Sequence, residues 1–133
     1  MCRVLLWAIV VVATASLAHA KECTESANQY ELTVCADQAF KKTDAILNDL
    51  YGRIKTRLKG DNATTKLLVA SQRAWIAFRD AECTFATSST AQGTIHPMLR
   101  LQCLDALTAK RIEDFKLYLK CEEGDLSCPV PAQ

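Results

Sequence analysis

The chain has 133 residues, of which 50% are hydrophobic, with 16 Lys and Arg against 15 Asp and Glu. This near-neutral charge argues against a nucleic-acid-binding protein, which would carry a basic excess. The length suits one domain with a modest hydrophobic core.

The first 20 residues differ from the rest and are typical of a secretory signal peptide. Arg3 is their only charge, an apolar run follows it, and Ala18-His19-Ala20 forms an A-x-A cleavage site. We therefore expect cleavage after Ala20 and a periplasmic or secreted protein. A membrane anchor is the alternative, but the run is shorter than the ~20 residues that usually span a bilayer. We expect no membrane span in the mature chain.

The first predicted helix is the longest and runs from Asn28 to about Leu58. Asn28 and Glu31 have the spacing of a capping box, in which each side chain bonds to a free backbone N–H at the helix start. Apolar residues then recur every three or four positions without an interrupting proline. Gly60-Asp61-Asn62 is expected to end this helix and turn the chain.

Two further helices are predicted, separated by the only long polar loop. The second runs from about Ala63 to Ala86 and is capped by Asp61 or Asn62. The loop covers residues 87–96, where Gly93 is able to take a positive φ. Pro97 suits the first turn of the third helix, which is expected to end near Lys120.

No strand pattern occurs, so the predicted fold is all-α. Short connections favour antiparallel neighbours, which gives a compact three-helix antiparallel arrangement with a long first helix, held by disulfides. The predicted organisation is a signal peptide over residues 1–20, a helical domain over 21–120 and a disulfide-closed tail over 121–133. Prolines after the last cysteine indicate that this tail has a loose end.

Six cysteines remain beyond the signal peptide, an even number that indicates a disulfide framework in an exported domain. Their connectivity is open from sequence, and spacing favours the local set Cys23–Cys35, Cys83–Cys103 and Cys121–Cys128. Zinc binding is the alternative, but His96 is the only histidine left and no C-x-x-C pair occurs. We expect no metal and no cofactor.

Several polar residues lie on helix faces that should be buried. We interpret them as an interhelical network that fixes helix register: Asp44, Asn48, Gln72, Arg79, Thr108 and Arg111. A buried guanidinium needs an acceptor, and Asp44 is the best-placed carboxylate, with Asp80, Glu82 and Asp105 as alternatives. Beside this network we expect three aromatic core anchors, Tyr51, Trp75 and Phe78. An anion or partner site built from the two arginines is the competing hypothesis.

Catalysis has little support in the sequence. Ser71 and Thr108 are possible nucleophiles, but only His96, in the loop, is available as a histidine base. Glu82 and Asp105 are acids that could in principle act as a pair, although acids on helices are usually solvated. We therefore expect the protein not to be an enzyme.

Several motifs occur in order along residues 23–119 and together resemble one family. They comprise Cys23 with Cys35, ADQAFKKTDAILNDLY, SQRAWIAFRDAEC and GTIHPMLRLQCLDALTAKR. These motifs resemble the exported bacterial domain family named after the lysozyme inhibitor LprI. The resemblance implies a small bacterial exported domain, and it implies lysozyme inhibition only through the family's namesake.

Two functions compete at this stage. The first is a non-enzymatic interaction module of the cell envelope, which binds an unidentified protein or cell-wall partner. The second is an inhibitor of lysozyme-type muramidases, whose cleft contains two carboxylates. The predicted partner-binding loop suits such a cleft because it contains no acid; its candidate contact residues are Ser88, Ser89, Thr90, Gln92, Gly93, Thr94 and His96.

Overall fold

A computed structural model describes residues 28–132 and contains three long helices. They are α1 (Gln29–Arg57), α2 (Asn62–Ala86) and α3 (His96–Leu119), and a short 3-10 turn at Ser88–Thr90 follows α2. No strand occurs within the described range. The predicted all-α, three-helix fold is confirmed, and the predicted helix ends agree to about one residue. The predicted signal peptide and Cys23 lie outside the described residues.

Short polar residues begin the first two helices, as their sequences indicate. The backbone N–H of Glu31 donates to Asn28 Oδ1 at 3.0 Å, and that of Thr64 donates to Asp61 Oδ1 at 3.0 Å. Each bond satisfies one backbone donor that a helix leaves free at its start. Between α1 and α2, Gly60 has a φ of +100°. Glycine adopts this left-handed conformation without steric cost, so the chain reverses there.

Two end-to-end contacts define the direction of the helices. At the N-terminal ends of α1 and α3, Gln29 Nε2 lies 3.6 Å from Met98 Sδ. At the C-terminal ends of the same two helices, Arg57 Nη1 donates to the Leu119 carbonyl oxygen at 2.9 Å. The α1 and α3 helices are therefore parallel, and α2 runs antiparallel to both. The backbones of α1 and α3 approach each other most closely, while α2 lies farther from them.

The core lies between α1 and α3 towards the C-terminal end of both. Its buried residues are Leu47, Leu50, Ile54, Leu58, Ile112, Phe115, Cys121 and Val130. The last two belong to the tail, so the expectation of a loose end is wrong. Val130 is buried because the turn before it, closed by the Cys121–Cys128 disulfide, directs the chain back onto the helices.

Two of the three predicted disulfides are confirmed. Cys83 on α2 is bonded to Cys103 on α3, and Cys121 is bonded to Cys128 in the tail. Cys35 on α1 is also in a disulfide. Because its predicted partner Cys23 is outside the described residues, the Cys23–Cys35 pairing stays a prediction.

The aromatic residues expected in the core occupy different environments. Tyr51 and Trp75 are half-buried and pack against the core. The prediction for Phe78 is wrong, because 55% of this residue is exposed. Phe78 precedes Arg79 by one position, which rotates it about 100° around the helix. Since α2 contacts its neighbours along one narrow stripe centred near Arg79, Phe78 lies outside that contact.

Removing the Cys83–Cys103 disulfide should destabilise the protein by about 3 kcal/mol, because the bond restricts a long loop in the unfolded chain. The Cys83→Ala/Cys103→Ala variant is compared with the wild-type protein by urea unfolding. Cys121→Ala/Cys128→Ala is the matched control, because its two cysteines are 7 residues apart in the sequence, whereas Cys83 and Cys103 are 20 residues apart. An equal or larger loss in this control would contradict a loop-length effect.

The cap at Asp61 should make stability depend on pH. Hydrogen bonds from the Thr64 side chain and backbone lower the pKa of Asp61 below its ordinary value of 3.8. A lowered folded-state pKa stabilises the fold above the unfolded value, and this contribution is lost as the pH falls through the folded-state pKa. The Asp61→Asn variant keeps a capping oxygen but has no carboxyl group to titrate at this position. We therefore expect its melting temperature to fall less than that of the wild type when the pH is lowered from 5 to strongly acidic values. Asp49→Asn, on exposed α1 surface, should follow the wild type.

Candidate functional site

Arginine and aromatic side chains alternate in a column that crosses the three helices. The Arg79 guanidinium carbon lies 5.2 Å from the centre of the Trp75 ring and 5.4 Å from that of Phe40. The Arg111 guanidinium carbon lies 5.9 Å from the centre of the Trp75 ring and 4.7 Å from that of Phe115. We call Phe40, Arg79, Trp75, Arg111 and Phe115 the cation–aromatic column. Each desolvated contact of this type stabilises by up to about 2 kcal/mol.

Arg79 is held by acceptors from all three helices. Its Nη1 lies 3.4 Å from Asp44 Oδ1 on α1 and 3.4 Å from the Thr108 hydroxyl on α3. Its Nε and Nη2 each lie 3.0 Å from Asp80 Oδ1 on α2 itself. Asn48 Nδ2 in turn donates to the other oxygen of Asp44 at 3.0 Å. Only 11% of the Arg79 side chain is exposed, so these acceptors replace the water that it loses.

Arg111 has a second set of acceptors on α2 and α3. Its Nε donates to Gln72 Oε1 at 3.3 Å, its Nη1 to Asp114 Oδ2 at 3.3 Å and its Nη2 to the Ser71 hydroxyl at 3.2 Å. Sequence reasoning missed Asp114. Its position three residues after Arg111 on the same helix was the available signal, because side chains at this spacing are neighbours.

Every guanidinium nitrogen of Arg79 and Arg111 already has a protein acceptor, and both residues are buried. Only 11% and 10% of the two side chains are exposed, so little of either guanidinium is accessible to an incoming anion. The geometry therefore favours a structural role for the two arginines over the competing anion-site hypothesis. We infer that they hold α2 at its register against α1 and α3.

Of the three alternative acids, Asp80 contacts Arg79, whereas Glu82 and Asp105 form no hydrogen bond or ion pair with either arginine. Glu82 is exposed on α2, whereas Asp105 on α3 has a buried Oδ1 without a hydrogen-bond partner among the residues that the structure describes. Ser71 and Thr108, considered above as nucleophiles, both accept hydrogen bonds from the arginines. Neither hydroxyl contacts a histidine or carboxylate base.

An apolar cavity of about 200 Å³ opens beside the column, between the helices and the tail. Leu58, Leu68, Tyr118 and Val130 line it, together with Arg111. Small-molecule sites usually have about 300 Å³ or more and present polar groups for orientation. Because the guanidinium of Arg111 is already hydrogen-bonded, this cavity is a poor candidate for a ligand site.

The polar loop of residues 87–96 has a regular internal structure. The Thr90 hydroxyl donates to the Thr87 carbonyl oxygen at 2.9 Å, and the Gly93 N–H donates to the Thr90 carbonyl oxygen at 2.7 Å. His96 Nδ1 lies 3.2 Å from the Thr87 carbonyl oxygen and 3.3 Å from the Thr90 hydroxyl. Because a carbonyl only accepts, this contact places the proton on Nδ1. These bonds and the nearby Cys83–Cys103 disulfide fix the loop to α2 and α3.

The loop residues divide into an inner and an outer set. Thr90 and His96 are half-buried and form the internal bonds, whereas the outer set is exposed: Ser88, Ser89, Gln92, Gly93 and Thr94. Gly93 does not use its ability to take a positive φ, since Gly60 and Gly124 are the glycines with positive φ in the described chain. A Cβ at Gly93 would lie 3.3 Å from the Thr90 carbonyl oxygen, so a side chain there would require this carbonyl to shift by a few tenths of an ångström.

Neither a metal site nor a membrane span is found in residues 28–132. No group of three or more His, Cys, Asp or Glu side chains could hold a metal ion there. No helix in the same range is both long and apolar enough to cross a membrane.

Because Arg79 has two carboxylate partners, loss of either one should be tolerated and loss of both should not. Both carboxylates are well exposed, so we expect Asp44→Ala and Asp80→Ala each to lower the free energy of unfolding by less than about 1 kcal/mol. The double variant leaves the buried guanidinium without a carboxylate and should lose about 3 kcal/mol. Urea unfolding of the four proteins measures the coupling.

Asp49→Ala is the control for this cycle, because Asp49 is an exposed acid on the same helix as Asp44. Combining it with Asp80→Ala should give an additive loss. Additive losses for Asp44→Ala and Asp80→Ala would contradict the shared role of the two carboxylates.

Comparison of the sequence with known proteins identifies the family of this chain. The sequence model of the family described as lysozyme inhibitor LprI matches residues 20–115. The chain is 30% identical to the uncharacterized protein R02472 of Rhizobium meliloti over 114 residues, 77% of this chain and 82% of the relative. It is 28% identical to the uncharacterized protein YecT of Escherichia coli over 132 residues, 86% of this chain and 82% of that relative. No solved structure matches the chain significantly. The chain therefore belongs to the family described as lysozyme inhibitor LprI.

Proposed function

We propose that the protein is a non-enzymatic binding module of the bacterial cell envelope, and that its loop of residues 87–96 contacts a protein or cell-wall partner. The observation that carries this proposal is the preorganisation of the loop. Hydrogen bonds among Thr87, Thr90 and His96 hold the inner side, while polar side chains remain free on the outer side. A loop that is already ordered loses little conformational entropy on binding.

The chemistry of the loop supports a lysozyme-type muramidase as the first partner to test. Such enzymes act with two carboxylates across a cleft. The outer loop side chains offer hydroxyl and amide groups and no acid, so they would not repel these carboxylates. The description of the family as lysozyme inhibitors points to the same class of partner.

A non-enzymatic role is supported by the engagement of the reactive groups. His96, the only histidine in residues 28–132, uses Nδ1 within the loop. The serine and threonine hydroxyls near the column bind arginine. An exported location is supported by the disulfides, which form and persist in oxidising compartments.

A carboxylate introduced into the loop should weaken muramidase inhibition. We expect Gln92→Glu to raise the concentration for half-inhibition about tenfold, since one repulsive contact of ~1.4 kcal/mol has that effect. The measurement is a turbidity assay of lysozyme with exported, oxidised protein. Gln38→Glu, an identical change on exposed α1 surface, should leave inhibition unchanged.

Wild-type protein that gives no inhibition at molar excess would reject the muramidase partner. The broader binding function is then tested by capture from envelope extract with the wild-type protein and Gln92→Glu. A partner retained equally by both proteins would argue against the loop as the contact surface.

A further inference from the structure

The helix α2 has a second apolar face, which flanks the one that contacts α1 and α3. Leu67, Phe78 and Phe85 are 70%, 55% and 76% exposed on this face. Between them lie the small residues Ser71, Ala74 and Ala81, which are also exposed. Ser71 is at the border of this face, because its hydroxyl also accepts the hydrogen bond from Arg111. We call these six residues the outer face of α2. Large exposed apolar side chains that share one line on a helix mark an interaction surface.

The spacing of the outer face is that of a helix-pairing seam. Its members alternate at intervals of four and three residues over 67–85, so they occupy the a and d positions of a heptad. Ser71, Phe78 and Phe85 are at a, and Leu67, Ala74 and Ala81 are at d. None of the six is charged, and Glu82 is the only charged residue at the flanking e and g positions between residues 67 and 85.

We infer that the outer face of α2 pairs with the same face of a second copy, with the two α2 helices antiparallel. A twofold axis near residue 76 then brings each a position opposite a d position of the partner copy. Phe78 packs against Ala74, and Phe85 packs against Leu67. The seam is therefore complementary to itself, which a twofold interface requires.

A parallel pair would be packed less well. It would place Phe78 against Phe78 and Phe85 against Phe85, with Ala74 and Ala81 facing their own copies between them. Along such a pair, a level with two aromatic rings would be followed by a level with two alanine methyl groups. The rings hold the two helices farther apart than the methyl groups do, so both levels cannot pack well at one helix separation. The antiparallel register avoids this at its centre by setting Phe78 against Ala74 on both sides of the axis.

The area is sufficient for a modest dimer. The exposed parts of two phenylalanines and a leucine provide at most about 400 Å² from each copy, since a whole aromatic side chain covers about 150–250 Å² and these residues are already partly covered. The small residues between them raise the total for both copies to about 1,000 Å², near the lower limit for specific interfaces. We expect a dissociation constant of about micromolar order.

The dimer does not depend on the proposed function of the loop. The loop follows Phe85 at the end of α2, so an antiparallel pair presents its two loops at opposite ends. They are separated by about 35 Å along the helix axes at ~1.5 Å per residue. One dimer would therefore offer two binding loops that cannot obstruct each other.

Sedimentation equilibrium of the exported, oxidised protein over a concentration series tests the pairing. We expect wild type to pass from monomer to dimer, and Phe78→Glu to raise the dissociation constant at least tenfold. Phe85→Glu, on the same seam, should have the same effect and provides a second test. Leu117→Glu removes a residue that is 64% exposed on α3 and is the matched control, for which we expect dimerisation to be unchanged.

Spin-label distances test the antiparallel direction. Labels are attached through Lys66→Cys or Arg73→Cys, two exposed positions on the same border of α2. Because Lys66 lies farther from the axis near residue 76, its labels should be about 20 Å farther apart along the helix axes than those at Arg73. A parallel pair would give similar distances at both positions.

Three results would overturn the inference: a monomer throughout the concentration range, a dimer that tolerates both seam variants, or equal label distances. A monomer that uses this face to bind lipid vesicles or another envelope protein would also overturn it, by assigning the face to a different partner. Loss of muramidase inhibition without loss of dimerisation would instead reject only the function proposed for the loop.

Discussion

The contact of Trp75 with two buried guanidinium groups is the interaction on which the rest of the structure depends. Arg79 and Arg111 lie 5.2 Å and 5.9 Å from the centre of its ring, and their acceptors come from all three helices. Buried charges are stable only when their hydrogen-bond donors are satisfied. Sliding α2 by one turn would separate the arginines from these acceptors, and we therefore propose that the column fixes the register of α2.

This constraint also explains why the three helices do not pack equally. The close pair α1 and α3 is joined by aliphatic residues and Phe115, which permit a short distance between backbones. The α2 helix meets them through Trp75 and arginine side chains, which are longer and keep its backbone farther away. The Cys83–Cys103 disulfide ties α2 to α3 at the loop end, where the column no longer reaches.

The fold therefore leaves two parts of α2 available for interaction. At its C-terminal end, the disulfide and the bonds around His96 present a polar loop of fixed shape. Along its side, Phe78 and Phe85 remain exposed because the contact with the other helices is a single stripe. The first surface suits a polar cleft and the second suits an apolar helix face, so we propose different partners for them.

The sequence by itself determined the three helices and their caps at Asn28 and Asp61, because these features depend on spacing along the chain. For the cysteines, spacing only favoured the two pairings that the structure confirms. The sequence also predicted that Arg79 pairs with Asp44, since a buried charge needs an acceptor. Only the tertiary structure decided that both arginines have acceptors at every nitrogen, that Phe78 is exposed and that Gly93 needs no positive φ. These outcomes depend on the angle at which helices and loops meet, which local sequence patterns do not encode.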